Sequence, residues 1–232
     1  MRDLLRRGLA SLGLEAEKAD ALADFARLVL EKNRVMNLTA ITDESDFVRL
    51  HLLDSAALLR AAEWEGKRAV DVGTGAGFPG VPIRILCPGV SMTLLDSTAK
   101  RVDFLRESCA ALGLSDVECV HARAEEFAAE RRESYDLAVS RAVAALPVLC
   151  ELCLPLVKVG GQLLAMKSVD SEQELKDSLR AVELRGGRLR EKRDYTIPET
   201  DVTHRLIVID KLRPTPAKYP RAFGQIKKKP LS

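Results

Sequence analysis

The sequence predicts an α/β fold in which a mostly parallel, seven-stranded sheet ends in an antiparallel hairpin and follows a helical N-terminal extension. Three observations support this prediction. Strand-like and helix-like stretches alternate from residue 68 onward, as in repeated βα units. A glycine-rich turn follows the first of these strands. Two β-like runs near the end are joined by a short loop, so they must be antiparallel neighbours.

Residues 1–66 are predicted to be helical. A first stretch repeats apolar residues at helical spacing on one face, namely Leu22, Phe25, Ala26 and Val29. A second stretch covers 43–60 and places His51 and Asp54 three residues apart, so their side chains are neighbours. This pair is either a hydrogen bond on the helix surface or a polar pair that faces a functional site.

The remaining predicted elements divide the chain into a helical extension (1–66), an α/β core (67–212) and a basic tail (213–232). The strands are expected at 68–73, 91–96, 117–121, 135–140, 162–167, 188–197 and 204–210. The helices between them are expected at 79–87, 97–112, 125–131, 144–158 and 171–186. We find no internal repeat or linker that would separate these parts into independent units.

Composition narrows the class of protein. Hydrophobic residues make up 47% of the chain, which is enough for a full core, and no apolar run approaches the ~20 residues of a membrane helix. The N-terminus lacks the apolar segment of a signal peptide. Five scattered cysteines indicate reduced thiols and a cytoplasmic location. Because Cys150 and Cys153 are the only close cysteine pair, we expect no metal site.

Charge is unevenly distributed. The net charge is +2, but the last 22 residues contain seven of the 36 basic residues and none of the 34 acidic ones. A basic tail on a mildly acidic body indicates contact with a polyanion. The alternative is a solvated tail that only aids solubility.

The glycine-rich turn is the most informative motif. Gly75, Gly77 and Gly80 match the spacing of a dinucleotide-binding loop. Asp71, followed by glycines at alternate positions from Gly73, equally matches the acidic loop that binds S-adenosylmethionine (SAM). Glycines let a ligand approach the backbone, and the helix that follows offers unpaired N–H groups. A glycine turn without a ligand is the third interpretation.

Charged residues after the second strand suit an adenosine ligand. Asp96 lies 21 residues after Gly75, where a carboxylate can accept hydrogen bonds from both ribose hydroxyls. It could instead cap the next helix, and the feature does not separate SAM from NAD. Lys100 and Arg101 oppose the dipole of that helix. They either contact phosphate or substrate, or form surface salt bridges with Asp96 or Asp103.

Two further cations, Arg141 and Lys167, are predicted at the ends of neighbouring strands, which suits an anionic nucleic-acid substrate. Methyltransferases that modify exocyclic amines often carry an Asn/Asp-Pro-Pro-aromatic motif after the fourth strand, but Ser-Arg-Ala-Val stands at 140–143. Cys150 is too deep in the next helix to act as the thiolate of a pyrimidine-C5 enzyme. Guanine N7 fits such a site, because its lone pair carries no proton to remove and needs mainly positioning.

Seven segments together carry a family resemblance. They are Asn37–Thr39, His51–Ser55, Asp71–Gly80, Leu95–Ser97, Lys100–Arg101 with Phe104–Leu105, Arg123–Glu126 and Ser140–Ala142. The set resembles the RsmG (GidB) family, which are bacterial 16S rRNA guanine-N7 methyltransferases. It spans nearly the whole chain and is far more specific than any one of its motifs.

The resemblance implies a Rossmann-like class I methyltransferase fold with SAM as cofactor and S-adenosylhomocysteine (SAH) as product. Together with the loop motif, it implies cofactor binding by Gly73, Gly75, Gly77, Phe78, Asp96, Ser97, Thr98, Ala124, Glu125 and Arg141. Arg141 would also position the base, and no general base is assigned. The candidates for RNA contact or its support are His51, Lys100, Arg101, Lys167, Lys218, Arg221, Lys227, Lys228 and Lys229.

The implied substrate is a guanosine in the decoding region of 16S rRNA, either free or in a small-subunit assembly intermediate. We expect a monomer that does not contact a membrane. The tail resembles those of the family, although its segment 222–225 contains no basic residue. Two alternatives remain: an NAD-linked oxidoreductase, and a module that binds SAM and RNA without turnover.

Overall fold

The computed structural model describes residues 1–231 and contains one seven-stranded sheet of order β3-β2-β1-β4-β5-β7-β6. Its strands are β1 (Arg68–Val72), β2 (Ser91–Asp96), β3 (Val117–His121), β4 (Tyr135–Arg141), β5 (Val157–Ser168), β6 (Gly187–Thr196) and β7 (Thr203–Lys211). Strands β1 to β5 are parallel to one another, whereas β7 runs antiparallel to both β5 and β6. The predicted parallel sheet with a terminal hairpin is confirmed.

Ten α-helices surround this sheet within the described residues. They are α1 (Arg2–Ser11), α2 (Ala19–Asn33), α3 (Glu44–Phe47), α4 (Asp54–Ala57), α5 (Gly80–Leu86), α6 (Ala99–Ala111), α7 (Ala124–Glu130), α8 (Leu146–Cys153), α9 (Glu172–Leu184) and α10 (Phe223–Lys228). Between α3 and α4 the chain continues as a π-helical stretch, Val48–Leu53. The Asp43 carboxylate caps the N-terminus of α3, because it accepts hydrogen bonds from the N–H groups of Ser45 and Asp46.

The order of the strands determines where a ligand can bind. The sheet grows from β1 in both directions, through β2 on one side and β4 on the other. At such a switch point the connections on either side leave a crevice at the carboxyl ends of the strands. The glycine-rich turn lies at this point, directly after β1.

One predicted helix is wrong. The apolar run over 144–158 does not form one helix, because α8 ends at Cys153 and β5 already begins at Val157. A Cβ atom at Gly161 would lie 2.4 Å from the carbonyl oxygen of Asp136 on β4. Glycine is therefore needed for close approach of two strands and does not mark the end of a helix. An apolar run alone does not separate a buried helix from a buried strand.

Two hydrophobic cores cover the two faces of the sheet. The N-terminal helices share the first core with sheet residues such as Ala69 and Val139. The second core packs α8 and α9 against residues such as Val70, and it includes Ile226 of α10. Both chain ends are thus packed on the central sheet. Among residues 1–231, none of the helices has the length and apolarity to cross a membrane.

Candidate active site

The glycine turn is fixed against the end of β2. The N–H groups of Gly73 and Thr74 donate to the carbonyl oxygen of Leu95, at 2.8 and 3.1 Å. Gly73, Gly75 and Gly77 have φ angles of 72°, 60° and 101°, which favour glycine. The predicted turn therefore exists for a backbone reason, and it exposes main chain to the crevice at the switch point.

Asp71 lies beneath this turn and is fully buried. Its Oδ2 accepts hydrogen bonds from the Thr74 hydroxyl (2.7 Å) and the Gly80 N–H (2.8 Å). Within the described residues, Oδ1 has no hydrogen-bond partner. Burial raises the pKa of Asp71 to about 6, against the opposing effect of these hydrogen bonds. Asp71 therefore holds the glycine turn to the start of α5 through its hydrogen bonds to Thr74 and Gly80.

Asp96 closes β2 and faces the same turn. Its Oδ2 accepts a hydrogen bond from the Gly75 N–H at 3.0 Å, and its Oδ1 accepts one from the Thr98 N–H at 2.8 Å. The bond to Thr98 shows that the capping role considered above is present as well. Each carboxylate oxygen retains a second lone pair. Asp96 can therefore order the backbone and still accept hydrogen bonds from a ligand.

A cavity of about 140 Å³ opens between the ends of β1, β2 and β3. Its lining includes five predicted cofactor residues, namely Gly73, Asp96, Ser97, Ala124 and Glu125. The structure thus brings together residues that are as far as 52 positions apart in the sequence. A mixed lining of apolar side chains, backbone and two carboxylates suits the adenosine end of a nucleotide-like ligand.

The loop after β4 covers one side of this cavity. Ala142 has a φ of 55°, in the left-handed region that is unfavourable for alanine. This conformation sets Val143 against the turn, where a Cβ at Gly73 would lie 2.5 Å from Cγ2 of Val143. Gly73 is therefore required both for its φ and for this close approach. The strained residue lies directly after Arg141, at the edge of the candidate site.

These features fit SAM. Backbone at the glycine turn can approach the ligand closely, and Asp96 offers lone pairs for the ribose hydroxyls at the wall of the cavity. When bound, SAM supplies a methyl group activated by a positively charged sulfur. The contribution of this chain is then to hold and orient the cofactor.

Arg141 does not extend freely into the crevice. Its Nη1 donates to the Leu50 carbonyl oxygen (2.9 Å) and to Oδ2 of Asp54 (3.1 Å), and its Nη2 donates to Nδ1 of His51 (2.8 Å). The side chain is only 15% exposed, and Asp54 is fully buried. His51 and Asp54 are therefore the inward-facing pair and not a surface hydrogen bond. The π-helical stretch brings them to the end of β4.

His51 is a neutral part of this network. Because arginine can only donate, Nδ1 of His51 must accept and Nε2 must carry the proton, which it donates to Oγ1 of Thr39 at 2.8 Å. Burial, reinforced by the charge of Arg141, lowers the pKa of His51 to about 3. Both ring nitrogens are thus occupied within the protein. His51 supports the site, and its contact with RNA stays a prediction.

Phe78 lies on the opposite side of the same network. Its ring stacks on His51 at 4.7 Å, packs against Phe25 and Phe47, and lies 5.2 Å below the Arg141 guanidinium. The side chain is 5% exposed. The ring therefore joins the glycine turn to the N-terminal helices, while any contact with a cofactor falls to its backbone.

Two other predicted cations are also paired. Nζ of Lys167 donates to the Ala144 carbonyl oxygen and contacts Oε1 of Glu174, both at 2.6 Å, so it holds the loop after β4. Arg101 lies 3.7 Å from Asp96, as in the salt-bridge alternative. Lys100 is exposed on the first turn of α6. Arg141 and Lys167 therefore do not form the unpaired cationic pair that the strand ends suggested.

The tail is folded against the second core. Arg221 donates from its backbone N–H, Nε and Nη2 to the buried carboxylate of Glu151, at 3.0, 2.8 and 2.8 Å. Arg221 thus anchors the tail. The four tail lysines predicted to contact RNA, in contrast, are exposed, namely Lys218, Lys227, Lys228 and Lys229.

Sequence reasoning missed several residues that line the cavity. They are Val72, Leu95, Ala122, Arg123, Val143, Leu152 and Phe223. Most are apolar and give no chemical signal. Phe223 did carry one, because it is one of two aromatic residues in the basic tail. An aromatic residue among cations is typical of nucleotide or nucleic-acid contact.

The fold and this site define the class of protein. A parallel Rossmann-like sheet with an antiparallel terminal hairpin, an acidic glycine turn after β1 and a carboxylate after β2 make a class I SAM-dependent methyltransferase. An NAD-linked oxidoreductase is expected to have a wholly parallel sheet made of two matching halves. This sheet differs, because β7 runs antiparallel to both β5 and β6.

Within that class, the chain belongs to the GidB family, rRNA small subunit methyltransferase G, whose model matches residues 18–198. It is 45% identical over 237 residues to the ribosomal RNA small subunit methyltransferase G of Alkaliphilus oremlandii, covering 100% of this chain and 99% of the relative. The namesake from Acetivibrio thermocellus is 43% identical, with coverage of 100% and 97%. The chain is therefore a SAM-dependent rRNA methyltransferase.

Solved structures agree on the fold. TrmN from Thermus thermophilus superposes with a TM-score of 0.54 at 26% identity, covering 68% of this chain and 48% of TrmN. A SAM-dependent methyltransferase from Aquifex aeolicus gives a TM-score of 0.52 at 17% identity, with coverage of 72% and 94%.

Proposed function

We propose that this enzyme methylates N7 of a guanosine in the decoding region of 16S rRNA, with SAM bound in the cavity between β1, β2 and β3. Asp96 would accept hydrogen bonds from the ribose hydroxyls, and Ser97 and Thr98 would flank them. Ala124 and Glu125 would lie at the adenine edge. The backbone of Gly73, Gly75, Gly77 and Phe78 would face the remainder of the cofactor.

The proposal of N7 as the methylated atom rests on the side chains at and near the end of β4. His51 there is neutral with both nitrogens engaged, and Arg141 is bound to Asp54. Burial raises the pKa of Cys150 to about 12 and that of Cys153 well above its ordinary value. These groups offer neither a general base nor a thiolate. An N7 lone pair needs neither, because it bears no proton.

In the proposed reaction, the N7 lone pair of guanine forms a bond to the methyl carbon while the bond from that carbon to sulfur breaks. The electron pair of the broken bond stays on sulfur, so the products are SAH and a cationic 7-methylguanosine. No proton is transferred. Arg141 would support the base pocket through its hydrogen bonds to the helical segment 44–60, and Lys167 would hold the loop over it.

Labelled SAM and ribosomal RNA that lacks the modification provide the direct test. We expect label in 16S rRNA alone, at one guanosine, and in a form that reduction and aniline treatment cleave as 7-methylguanosine. Label on an exocyclic amine or on a pyrimidine would contradict the N7 assignment. Binding of SAM and RNA without incorporation would favour the module without turnover.

The substrate particle and the oligomeric state belong to the same proposal. We infer that the enzyme acts as a monomer in the cytoplasm on an intermediate of small-subunit assembly. Exposed apolar residues such as Val35, Val159 and Val202 are normal on a monomer surface and do not by themselves indicate an interface. Comparing free 16S rRNA, assembly intermediates and mature subunits as substrates would identify the particle, and light scattering would give the mass.

A further inference from the structure

Helix α10 of the C-terminal tail forms part of the cofactor cavity. Phe223, its first residue, lines the cavity together with Asp96, Ala124 and Glu125. The centre of the ring lies 4.3 Å from the guanidinium carbon of Arg123, which lines the same cavity. Arg123 in turn pairs with Glu125, with 2.6 Å between Nε and Oε1. The ring is thus held in place beside the two residues at the predicted adenine edge.

The position of α10 is fixed by buried contacts. Glu151 is fully buried on α8, and its carboxylate accepts hydrogen bonds from Arg221 and from the fully buried Arg185. Burial alone would raise the pKa of Glu151, but these hydrogen bonds hold it below its ordinary value. Ile226, one turn after Phe223, is fully buried in the second core. The tail therefore has a defined place at the cavity.

The preceding segment of the tail is tied down separately. Arg132 donates to the carbonyl oxygens of Tyr219 (2.8 Å) and Pro216 (3.1 Å). The fully buried Lys211 donates to the Thr215 hydroxyl at 2.8 Å. Three separate anchors thus lie between the end of β7 and α10, and they deliver Phe223 to the cavity.

We propose that Phe223 is a cofactor-binding residue that packs its ring against the adenosine part of SAM, and that the tail is thereby one wall of the cofactor site. An aromatic ring next to a purine gains both apolar burial and stacking. Arg123 above the ring keeps its plane in place through a cation–π contact. The inference rests on the proposed location of SAM, and the experiment separates the two.

Calorimetric titration of the full-length protein with SAH tests this inference. Phe223→Ala is expected to weaken SAH binding about tenfold, the lower part of the range for loss of one base–aromatic stack. Phe223→Leu keeps the apolar anchor of α10 and removes the aromatic face, so an intermediate loss is expected. 5′-Methylthioadenosine, which lacks the amino acid, should lose affinity by the same factor as SAH.

Two controls make the result decisive. Gln225→Ala changes an exposed residue of the same helix and should leave SAH affinity unchanged. Asp96→Ala reports on the location of the cofactor. Weakened binding in Asp96→Ala together with wild-type affinity in Phe223→Ala would overturn the role of Phe223 alone. Wild-type affinity in both variants would overturn the proposed cofactor location as well.

A fluorescent variant gives a second readout that does not depend on a change in affinity. Phe223→Trp places an indole at the cavity, and its emission is expected to change on addition of SAH. The wild type, whose single Trp64 is buried away from the cavity lining, should show little change. An indole emission that does not respond to saturating SAH would contradict contact with the adenosine.

Discussion

Asp71 shows at the scale of one residue that holding the glycine turn with a buried carboxylate has a cost in stability. A carboxylate buried without a partner for one oxygen disfavours its charged form, and its pKa is accordingly raised to about 6. An unfolded carboxyl group titrates near 3.9. The contribution of Asp71 to stability is therefore fully present below about pH 4 and is lost as the pH rises through about 6.

We predict that Asp71→Asn becomes progressively more stable than the wild type between pH 4 and pH 7. The difference should approach about 3 kcal/mol, because each pKa unit corresponds to about 1.4 kcal/mol. Urea unfolding of both proteins at several pH values measures it. The same variant should bind SAH more weakly, since the polar group beneath the turn is altered.

Asp136 provides a control, because its pKa is shifted in the opposite direction from that of Asp71. Burial would raise its pKa, but the hydrogen bonds from Lys158 and the Arg68 N–H outweigh burial and lower it. Its contribution to stability is present above the unfolded pKa and is lost as the pH falls through the folded pKa. Asp136→Asn should therefore lose stability at neutral pH. Equal pH dependence in both Asn variants would contradict the assignment for Asp71.

At the scale of elements, the helical segment 44–60 and the end of β4 behave as one unit. Arg141 joins them through Asp54, which also accepts hydrogen bonds from the Tyr195 hydroxyl (2.7 Å) and from Nδ1 of His204 (3.1 Å). Burial, reinforced by Asp54, raises the pKa of Tyr195, and the hydrogen bond to Asp54 raises the pKa of His204. One buried carboxylate thus connects the N-terminal helices, β4 and the terminal hairpin.

Removing Arg141 should therefore destabilise the protein as well as impair catalysis. We predict that Arg141→Ala lowers the free energy of unfolding by about 3 kcal/mol, the lower end for breaking a buried ion pair. Combining it with Asp54→Asn should cost less than the sum of the two single changes. Arg27→Ala, which removes an exposed surface pair, should leave the unfolding midpoint nearly unchanged. Additive effects would show that the pair is not coupled.

At the scale of the whole molecule, charge is divided between structure and exposed surface. The predicted basic tail contains Arg221, which is bound to Glu151, and Lys227, Lys228 and Lys229, which are exposed. Only the exposed group is available for phosphate contact. Deleting the tail would also remove Phe223 and Ile226 from the cavity and the core, so a substitution test is sharper.

We predict that replacing Lys227, Lys228 and Lys229 by alanine weakens binding of 16S rRNA and reduces the slope of log K against log salt by about 2, at ~0.7–0.9 per phosphate contact. SAH binding should be retained. The matched control removes three exposed cations outside the tail, Lys176, Arg180 and Arg188. An equal reduction in slope for both triple variants would contradict a specific role for the tail lysines.

The two parts of the sequence that could be interpreted most directly were the alternating α/β pattern and the glycine turn. Strands with clear boundaries, such as 91–96 and 117–121, were predicted to the residue. The run 144–158 was not, because apolarity alone does not distinguish helix from strand, and the decisive contact is between Gly161 and the distant Asp136. Elements determined by a local sequence pattern were predictable. Elements determined by close packing of two strands that are distant in the sequence were not.

The candidate site divides in the same way. Asp71, Gly73 and Asp96 follow from a motif with fixed spacing that SAM and NAD sites share, and the terminal hairpin together with the linked segments indicated a SAM site and the family. Only the tertiary structure decided which cations are free. Arg141, Lys167 and Arg221 are each paired with a carboxylate far along the chain or on another element. Whether a charge is paired depends on distance in space, which spacing along the chain does not record.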